Sequence, residues 1–203
     1  MPKGKFIVLE GIDGSGKTTQ AKNLGNFFEK TGINHLLTKE PTDSSLGRLA
    51  RAALLMEENF CPEALGLLFA ADRADHIKRE IFPALEAGAL VLCDRYVYSN
   101  MAFQGTAIPQ KHIAAYHEGF LVYPDLTLFI DADPEESTKR LSTRTSPELY
   151  DDLQVSHEVR RQYFNAFKLM GHKMPVTQIN GNLKEDEVFK LLKAAVMPFC
   201  NPC

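Results

Sequence analysis

The sequence predicts a three-layer α/β fold, a five-stranded parallel sheet flanked by helices and carrying a short lid. Three observations predict it. Short apolar runs alternate with segments of helical character along the chain, the pattern of crossover helices laid over a parallel sheet. The stretch Gly11-Ile12-Asp13-Gly14-Ser15-Gly16-Lys17-Thr18-Thr19 fits G-x-x-x-x-G-K-[ST] and lies between an apolar run and a helical one, the context of a phosphate-cradling loop. The 203 residues suit one such domain, and no repeat, low-complexity segment or linker divides them, so residues 1–203 are expected to form a single domain.

Taken in order, Phe6–Leu9 is expected as a short buried strand, and Thr18–Lys30 as the helix after the glycine loop. Asn34–Lys39, Leu90–Cys93, Leu126–Ile130 and Val176–Ile179 are the other strand-like runs. Helices are expected at Ser45–Met56, Pro62–Ala87, Ser99–Gly105, Pro109–Gly119, Pro134–Ser142, Val155–Gly171 and Lys184–Val196. Gly32, Gly88 and Gly171 fall where helix C-caps are expected. Ligands of such sheets bind beyond the C-terminal ends of the strands. That rule selects the loop after Leu9, Lys39-Glu40-Pro41, Asp94-Arg95-Tyr96 and the segment after Asp131.

Each place carries groups suited to phosphate chemistry. In the glycine loop, tight turns point backbone N–H groups inward at an anion, and the helix N-terminus adds its positive dipole end. Lys17 is placed to reach the β- and γ-phosphates of a nucleotide such as ATP, with the Thr18 hydroxyl on Mg²⁺. Asp94, delivered by a buried strand end, is expected in the Mg²⁺ shell, and Arg95 beside it can fork onto a phosphate. The alternative for these two is a structural Asp–Arg pair. Phe69 and Arg73 share a helix face and can stack on and bond to a base, although a core Phe with a solvated Arg is the commoner use of that spacing. Between Lys139 and Arg161, Arg140 and Arg144 belong to a run of basic residues that fits either a mobile arginine-bearing lid or a solvated helix face. Asp13 inside the glycine loop has to point away from the phosphates, where it can serve a second ligand or simply face outward from the turn.

Composition narrows the class. Hydrophobic content of 44% and charged content of 24% are those of an ordinary globular chain. The net charge of −3 argues against a nucleic-acid-coating surface but leaves room for a local basic pocket. No apolar run approaches membrane-spanning length and no signal peptide opens the chain, so no membrane partner and a cytoplasmic location are expected. Cys61 and Cys93 are isolated. Cys200 and Cys203 form a C-x-x-C with no second ligand pair and are expected in a frayed tail. The six histidines show no metal spacing and receive no role.

At this point the residues resemble the thymidylate kinase family through most of the chain. Phe6–Thr19 is similar to its opening strand and phosphate loop, including an acid at Asp13. Lys39-Glu40-Pro41-Thr42 is similar to its Arg-Glu-Pro segment, and Leu68–Ala74 to its base-binding helix. Val91–Tyr96 resembles its Asp-Arg-Tyr region, and Ser99-Asn100 with Ala102–Gly105 its Ser-x-x-x-Tyr-Gln-Gly run. Phe129–Glu135 resembles its fourth strand and turn.

The resemblance implies transfer of the γ-phosphoryl of ATP to dTMP, with Mg²⁺. It implies that Arg95 holds the acceptor phosphate, that Phe69 stacks on thymine, and that Arg73 and Asn100 bond its polar edge. Asp13 would lie near the sugar 3′-hydroxyl and Phe103 on the 2′ side, with Glu40, Pro41, Arg51 and Gln104 completing the acceptor pocket. Gly14 puts the chain among members whose catalytic arginines sit in the lid, here about 142–156, which makes Arg140 and Arg144 candidates. A homodimer through helices near Ser45–Met56 and Pro62–Ala87 is also implied. Lys39 stands where bacterial members often carry Arg, and Phe103 replaces a common Tyr. Two other readings stay open on the residues. One is a kinase for another monophosphate such as dUMP. The other is a nucleotide-dependent switch protein, although the Asn-Lys-x-Asp guanine motif of GTPases is absent.

Overall fold

The computed structural model describes residues 4–142 and 148–200. Strand β1 (Lys5–Glu10) leads through the glycine loop into helix α1 (Lys17–Lys30), and β2 (His35–Lys39) into α2 (Ser45–Leu54) and α3 (Pro62–His76). After α4 (Phe82–Glu86), β3 (Leu90–Asp94) runs into α5 (Val97–Phe103) and α6 (Gln110–Ala115). The strands β4 (Leu126–Asp131) and β5 (Val176–Asn180) alternate with α7 (Pro134–Leu141), α8 (Leu153–Met170) and α9 (Glu185–Val196). All strand pairs are parallel, in the order β2-β3-β1-β4-β5.

The order explains the sequence pattern. β3, β1 and β4 lie inside the sheet and are almost wholly buried, so they read as continuous apolar runs. β2 and β5 form the edges and are half exposed. Strand side chains alternate between faces. Ile7, Leu9, Leu92 and Leu128 accordingly pack under Leu24 and Phe28 of α1 and Leu192 of α9. Phe6, Val8, Val91 and Phe129 pack on the other face against Val97 and Met101 of α5 and Val159 and Tyr163 of α8. Each large apolar side chain so buried contributes about 1.5–3 kcal/mol.

Helix starts obey the caps written in the chain. Ser44, Asp133 and Asp152 accept hydrogen bonds from the first-turn amides of α2, α7 and α8. Three expectations need correction. The helix expected over Pro62–Ala87 contains a π-turn at Ile77–Ile81, where the Phe82 amide bonds back to the Ile77 carbonyl. Pro83 has no N–H to offer the preceding turn, which accounts for the widening. The helix expected over Pro109–Gly119 ends at Ala115, because the next amides close short bonds, His117 to Ala114 and Glu118 to Ala115. Gly171 does cap α8, as expected, with an ordinary φ of −62°, while Gly32 and Gly88 lie in the left-handed region. Cys200 is not part of a frayed tail. It is buried against the α1–α9 side of the core, while Cys203 lies outside the described residues.

The segment joining β2 to α2 is held tightly. The buried carboxylate of Asp72, on α3, accepts from the Thr42 amide at 2.8 Å and hydroxyl at 2.5 Å and from the Ser44 hydroxyl at 2.9 Å. Gly47 allows the start of α2 to close on that segment, since a Cβ there would drive into the Thr42 carbonyl. Gly47→Ala is therefore expected to lower stability by about 1–3 kcal/mol through backbone displacement. Thermal unfolding checks this, and an unchanged melting temperature would contradict the packing.

Candidate active site

The glycine loop from Gly11 to Thr19 sits at the C-terminal end of β1, wrapped around the start of α1. Lys17 is buried, with Nζ donating to the Ile12 carbonyl at 2.7 Å and to Ser15 Oγ at 3.3 Å. Burial lowers its ammonium pKa to about 8, helped by the positive charge of Arg95 and opposed by Asp13, Asp94 and Glu10. Gly14 has φ of 75°, and a Cβ there would meet the Ser137 carbonyl on α7. That close approach brings Arg140 to the loop, where Nη1 donates to the Gly14 carbonyl at 3.2 Å. The Thr18 hydroxyl donates to Asp94 Oδ2 at 2.8 Å, and Asp94 Oδ1 is buried with no hydrogen-bond partner among the described residues.

Arg95, just after β3, lies in the left-handed region, φ 74°, which only a well-held non-glycine residue keeps. Its amide donates to the Leu9 carbonyl at 2.9 Å. Its guanidinium donates to Asp13 Oδ1 at 2.5 Å, the Gly11 carbonyl at 3.1 Å and Ser99 Oγ at 3.0 Å, and lies over the Phe103 ring at 4.9 Å. Burial would favour loss of its proton, but Asp13 and the neighbouring anions outweigh that and hold it charged.

Glu10, the last residue of β1, is completely buried beneath this arginine. Its carboxylate accepts from the Tyr96 amide at 2.9 Å, the Ser99 amide at 3.0 Å, the Ser99 hydroxyl at 2.5 Å and the Tyr163 hydroxyl at 2.9 Å. Burial raises the Glu10 pKa, against the pull of those bonds and of Arg95. Glu10 thereby fixes the turn that aims Arg95 at the glycine loop.

A second guanidinium lies deeper. Arg73 on α3 is 1% exposed, which overturns the solvated-arginine alternative. Its Nη2 donates to Glu40 Oε2 at 2.6 Å, and its Nη1 to His117 Nε2 at 2.5 Å and to Asn100 Oδ1 at 3.3 Å. The Tyr96 ring covers its face at 5.0 Å. Glu40 is also bonded to His76 Nδ1 at 3.1 Å, and His76 Nε2 to the Thr38 hydroxyl at 2.8 Å. Ligand atoms of Glu40, His76 and Cys93 lie within 4.8 Å of one another, so one histidine, His76, does reach a spacing that could hold a metal. Here that spacing serves hydrogen bonds, and the Cys93 thiol, its pKa pushed up by burial, donates to the Arg95 carbonyl at 3.0 Å.

The groups meet in one cavity of about 420 Å³. Its wall includes Asp13, Gly14, Gly16, Lys17, Thr18 and Thr19 on one side, and Glu40, Pro41, Arg51, Phe69, Arg73, Asn100, Phe103 and Gln104 on the other. Asp94, Arg95 and Arg140 lie on the same wall. Gly11, Ile12 and Ser15 do not line the cavity but hold its cations, the Gly11 carbonyl accepting from Arg95 and the Ile12 carbonyl and Ser15 Oγ from Lys17. Arg144 lies outside the described residues. Sequence reasoning passed over Glu10, His117, Tyr163, Glu148 and Tyr150. Glu148 pairs with Arg51 at 3.4 Å, and the Tyr150 hydroxyl accepts from Gln104 at 3.1 Å. A strand-ending glutamate before the glycine loop was the available signal for Glu10; the others carry no local signal.

A phosphate loop that shares its cleft with a second, arginine-lined pocket defines a phosphate-loop phosphotransferase. The family model described as thymidylate kinase matches residues 9–190. A probable thymidylate kinase of Pyrococcus horikoshii is 46% identical over 173 residues, covering 82% of this chain and 84% of its own. One from Pyrococcus abyssi is 40% identical over 199 residues, covering 94% and 97%. A thymidylate kinase of Clostridium novyi is 33% identical over 205 residues, covering 95% and 98%. The chain belongs to the thymidylate kinase family.

The buried His117 gives this site a pH signature. Burial and the facing charge of Arg73 lower its pKa from 6.5 to about 3, against the pull of the Ile113 carbonyl. Between those values the unfolded chain binds more protons than the folded one, so stability rises with pH there. Stability is expected to fall as pH drops below about 6.5. The slope should be shallower in His117→Gln. Urea unfolding over that range measures both, and equal slopes would show that His117 titrates normally in the folded protein.

Proposed function

We propose that this protein transfers the γ-phosphoryl group of ATP to dTMP, giving dTDP and ADP. The observation that carries the reading is the cavity whose lining brings the glycine loop, Lys17 and Arg95 together with Phe69, Arg73 and Asn100. Family membership supplies the acceptor's identity.

The chemistry asks little of a general base. A phosphate monoester has its second pKa near about 6, so the attacking oxygen is already ionised at neutral pH. What opposes reaction is repulsion between two anions and their misalignment. Arg95 neutralises and orients the acceptor phosphate, and Lys17 draws charge from the β- and γ-phosphates. Asp13 holds Arg95 and lies beside the sugar, and Phe103 packs below it. Arg73 and Asn100 bond the base edge while Phe69 stacks on its face, with Glu40, Pro41, Arg51 and Gln104 closing the pocket. Arg140, on α7 just before the lid and already at the glycine loop, is the arginine within reach of the moving group; Arg144 is proposed with it. Loop amides from Gly11 to Thr19 cradle the donor phosphates.

Mg²⁺ fits the donor set. The Thr18 hydroxyl and the Asp94 carboxylate are hard oxygen ligands side by side, and Asp94 Oδ1 has no other partner among the described residues. When bound there, Mg²⁺ would screen the phosphate charge. We further infer that residues 1–203 act as one domain with a lid near 142–156. A homodimer is supported by the exposed apolar side chains of Leu49 on α2 and Leu67 on α3. No described helix is long and apolar enough to cross a membrane, and we place the protein in the cytoplasm, with no nucleic-acid partner.

The test is ADP release from Mg·ATP against dTMP, dUMP, AMP, GMP and CMP. Strong release with dTMP and little with the purines or CMP is expected, whereas release without an acceptor would overturn the reading. Lys17→Met should lower turnover by on the order of 10²-fold or more while leaving dTMP affinity nearly unchanged. Unchanged turnover would remove Lys17 from the mechanism.

A further inference from the structure

We propose that His117, which does not line the cavity, is a positioning residue that sets base selectivity by holding Arg73 as a donor toward the pyrimidine 4-keto oxygen. The inference rests on the dTMP kinase reading and names the part of the site that tells a 4-keto from a 4-amino pyrimidine.

The hydrogen bonds leave one tautomer. His117 Nδ1 lies 2.8 Å from the Ile113 carbonyl, which can only accept, so Nδ1 carries the proton. Nε2 then presents a bare lone pair, and Arg73 Nη1 donates to it at 2.5 Å. Protonation of Nε2 would set two donors against each other in a buried site, and the depressed pKa of His117 agrees with a neutral ring. The ring is held from behind as well, its amide bonded to the Ala114 carbonyl and its plane packed near Phe120 at 5.8 Å.

Glu40 alone would not orient the guanidinium. It occupies Nη2, and an ion pair at one nitrogen leaves the plane free to swing. His117 holds the other terminal nitrogen, and Tyr96 covers the face. The result is a guanidinium fixed by acceptors on both arms. Its Nε is buried without a hydrogen-bond partner among the described residues, while the residue itself lines the cavity. The same polarity runs on through the wall. Asn100 turns Oδ1 to Arg73 and donates Nδ2 to Gln104 Oε1 at 2.8 Å, and Gln104 donates Nε2 to the Tyr150 hydroxyl at 3.1 Å. Every link points donors away from Arg73 and acceptors toward it. A thymine or uracil 4-keto oxygen satisfies an arginine so held. A cytosine 4-amino group opposes it, donor to donor.

His117→Leu removes the nearer of the two acceptors on Nη1, leaving only the longer contact to Asn100 Oδ1, while keeping an apolar body of similar bulk; His117→Gln restores an acceptor near the position of Nε2. Steady-state kinetics with dTMP and dCMP, at saturating Mg·ATP, read the effect. His117→Leu is expected to raise KM for dTMP on the order of tenfold with kcat within about threefold, and to shrink the dTMP-over-dCMP ratio of kcat/KM by a similar factor. His117→Gln is expected to recover most of both, and KM for ATP should not move. A His117→Leu enzyme with unchanged selectivity, or with kcat lowered equally for both acceptors, would overturn the proposal. If that variant does not fold, nitrogen-15 spectra of the wild-type imidazoles decide. A protonated Nδ1 and bare Nε2 unchanged from about pH 5.5 to 8 supports it, and a protonated Nε2 overturns it. Wild-type turnover of dTMP in the same assay tests the underlying reading separately: absent turnover refutes the kinase, while normal turnover with an indifferent His117→Leu refutes only the role of His117.

Discussion

Two arginines packed beside carboxylates at the C-terminal edge of the sheet, Arg73 buried and Arg95 partly buried, are the constraint on which the rest of this structure depends. Arg95 is balanced by Asp13 and, below it, Glu10; Arg73 is balanced by Glu40. A buried guanidinium stripped of its partner is strongly destabilising. The fold must therefore deliver these acids from separate elements to fixed places. Glu10 ends β1, Asp13 stands in the loop after it, and Glu40 comes directly after β2. The arginines come from the end of β3 and from α3. The parallel order β2-β3-β1 puts those strand ends side by side, and the segment after β2 is tied down by Asp72.

In the proposed reaction, that arrangement would let one cleft serve two anions. The donor side relies on backbone amides and one lysine, groups that suit any nucleoside triphosphate. The acceptor side relies on planar guanidinium groups whose directions are fixed before a ligand arrives, which suits a phosphate at Arg95 and a base edge at Arg73. Glu10 and His117 touch no ligand in this account. They set the direction of the two arginines, and so convert charge into recognition.

The legible part of the sequence was the part governed by local rules. Interior strands showed as apolar runs because both their faces are covered, and the glycine loop showed because its chemistry dictates its spacing. Asp94, Arg95 and Glu40 stood out because strand C-termini are where such sheets bind. Long-range burial hid the rest. His76 and His117 look like scattered histidines until α3 and the turn after α6 are brought against Glu40 and Arg73. Arg73 itself has the spacing of a solvated residue, and only the fold buries it. The π-turn at Ile77–Ile81 is an exception, since its cause, Pro83, is local. Cys200 looked like part of a tail because nothing in four residues announces the core that receives it.

The charge network around Arg73 and Arg95 is expected to assemble the acceptor pocket before any donor binds. Calorimetric titration of dTMP into the nucleotide-free protein tests it most directly. The account predicts saturable, exothermic binding to one site per chain without ATP, and much weaker binding of dCMP. Absence of dTMP binding until a nucleotide is added, or equal affinity for dCMP, would contradict it.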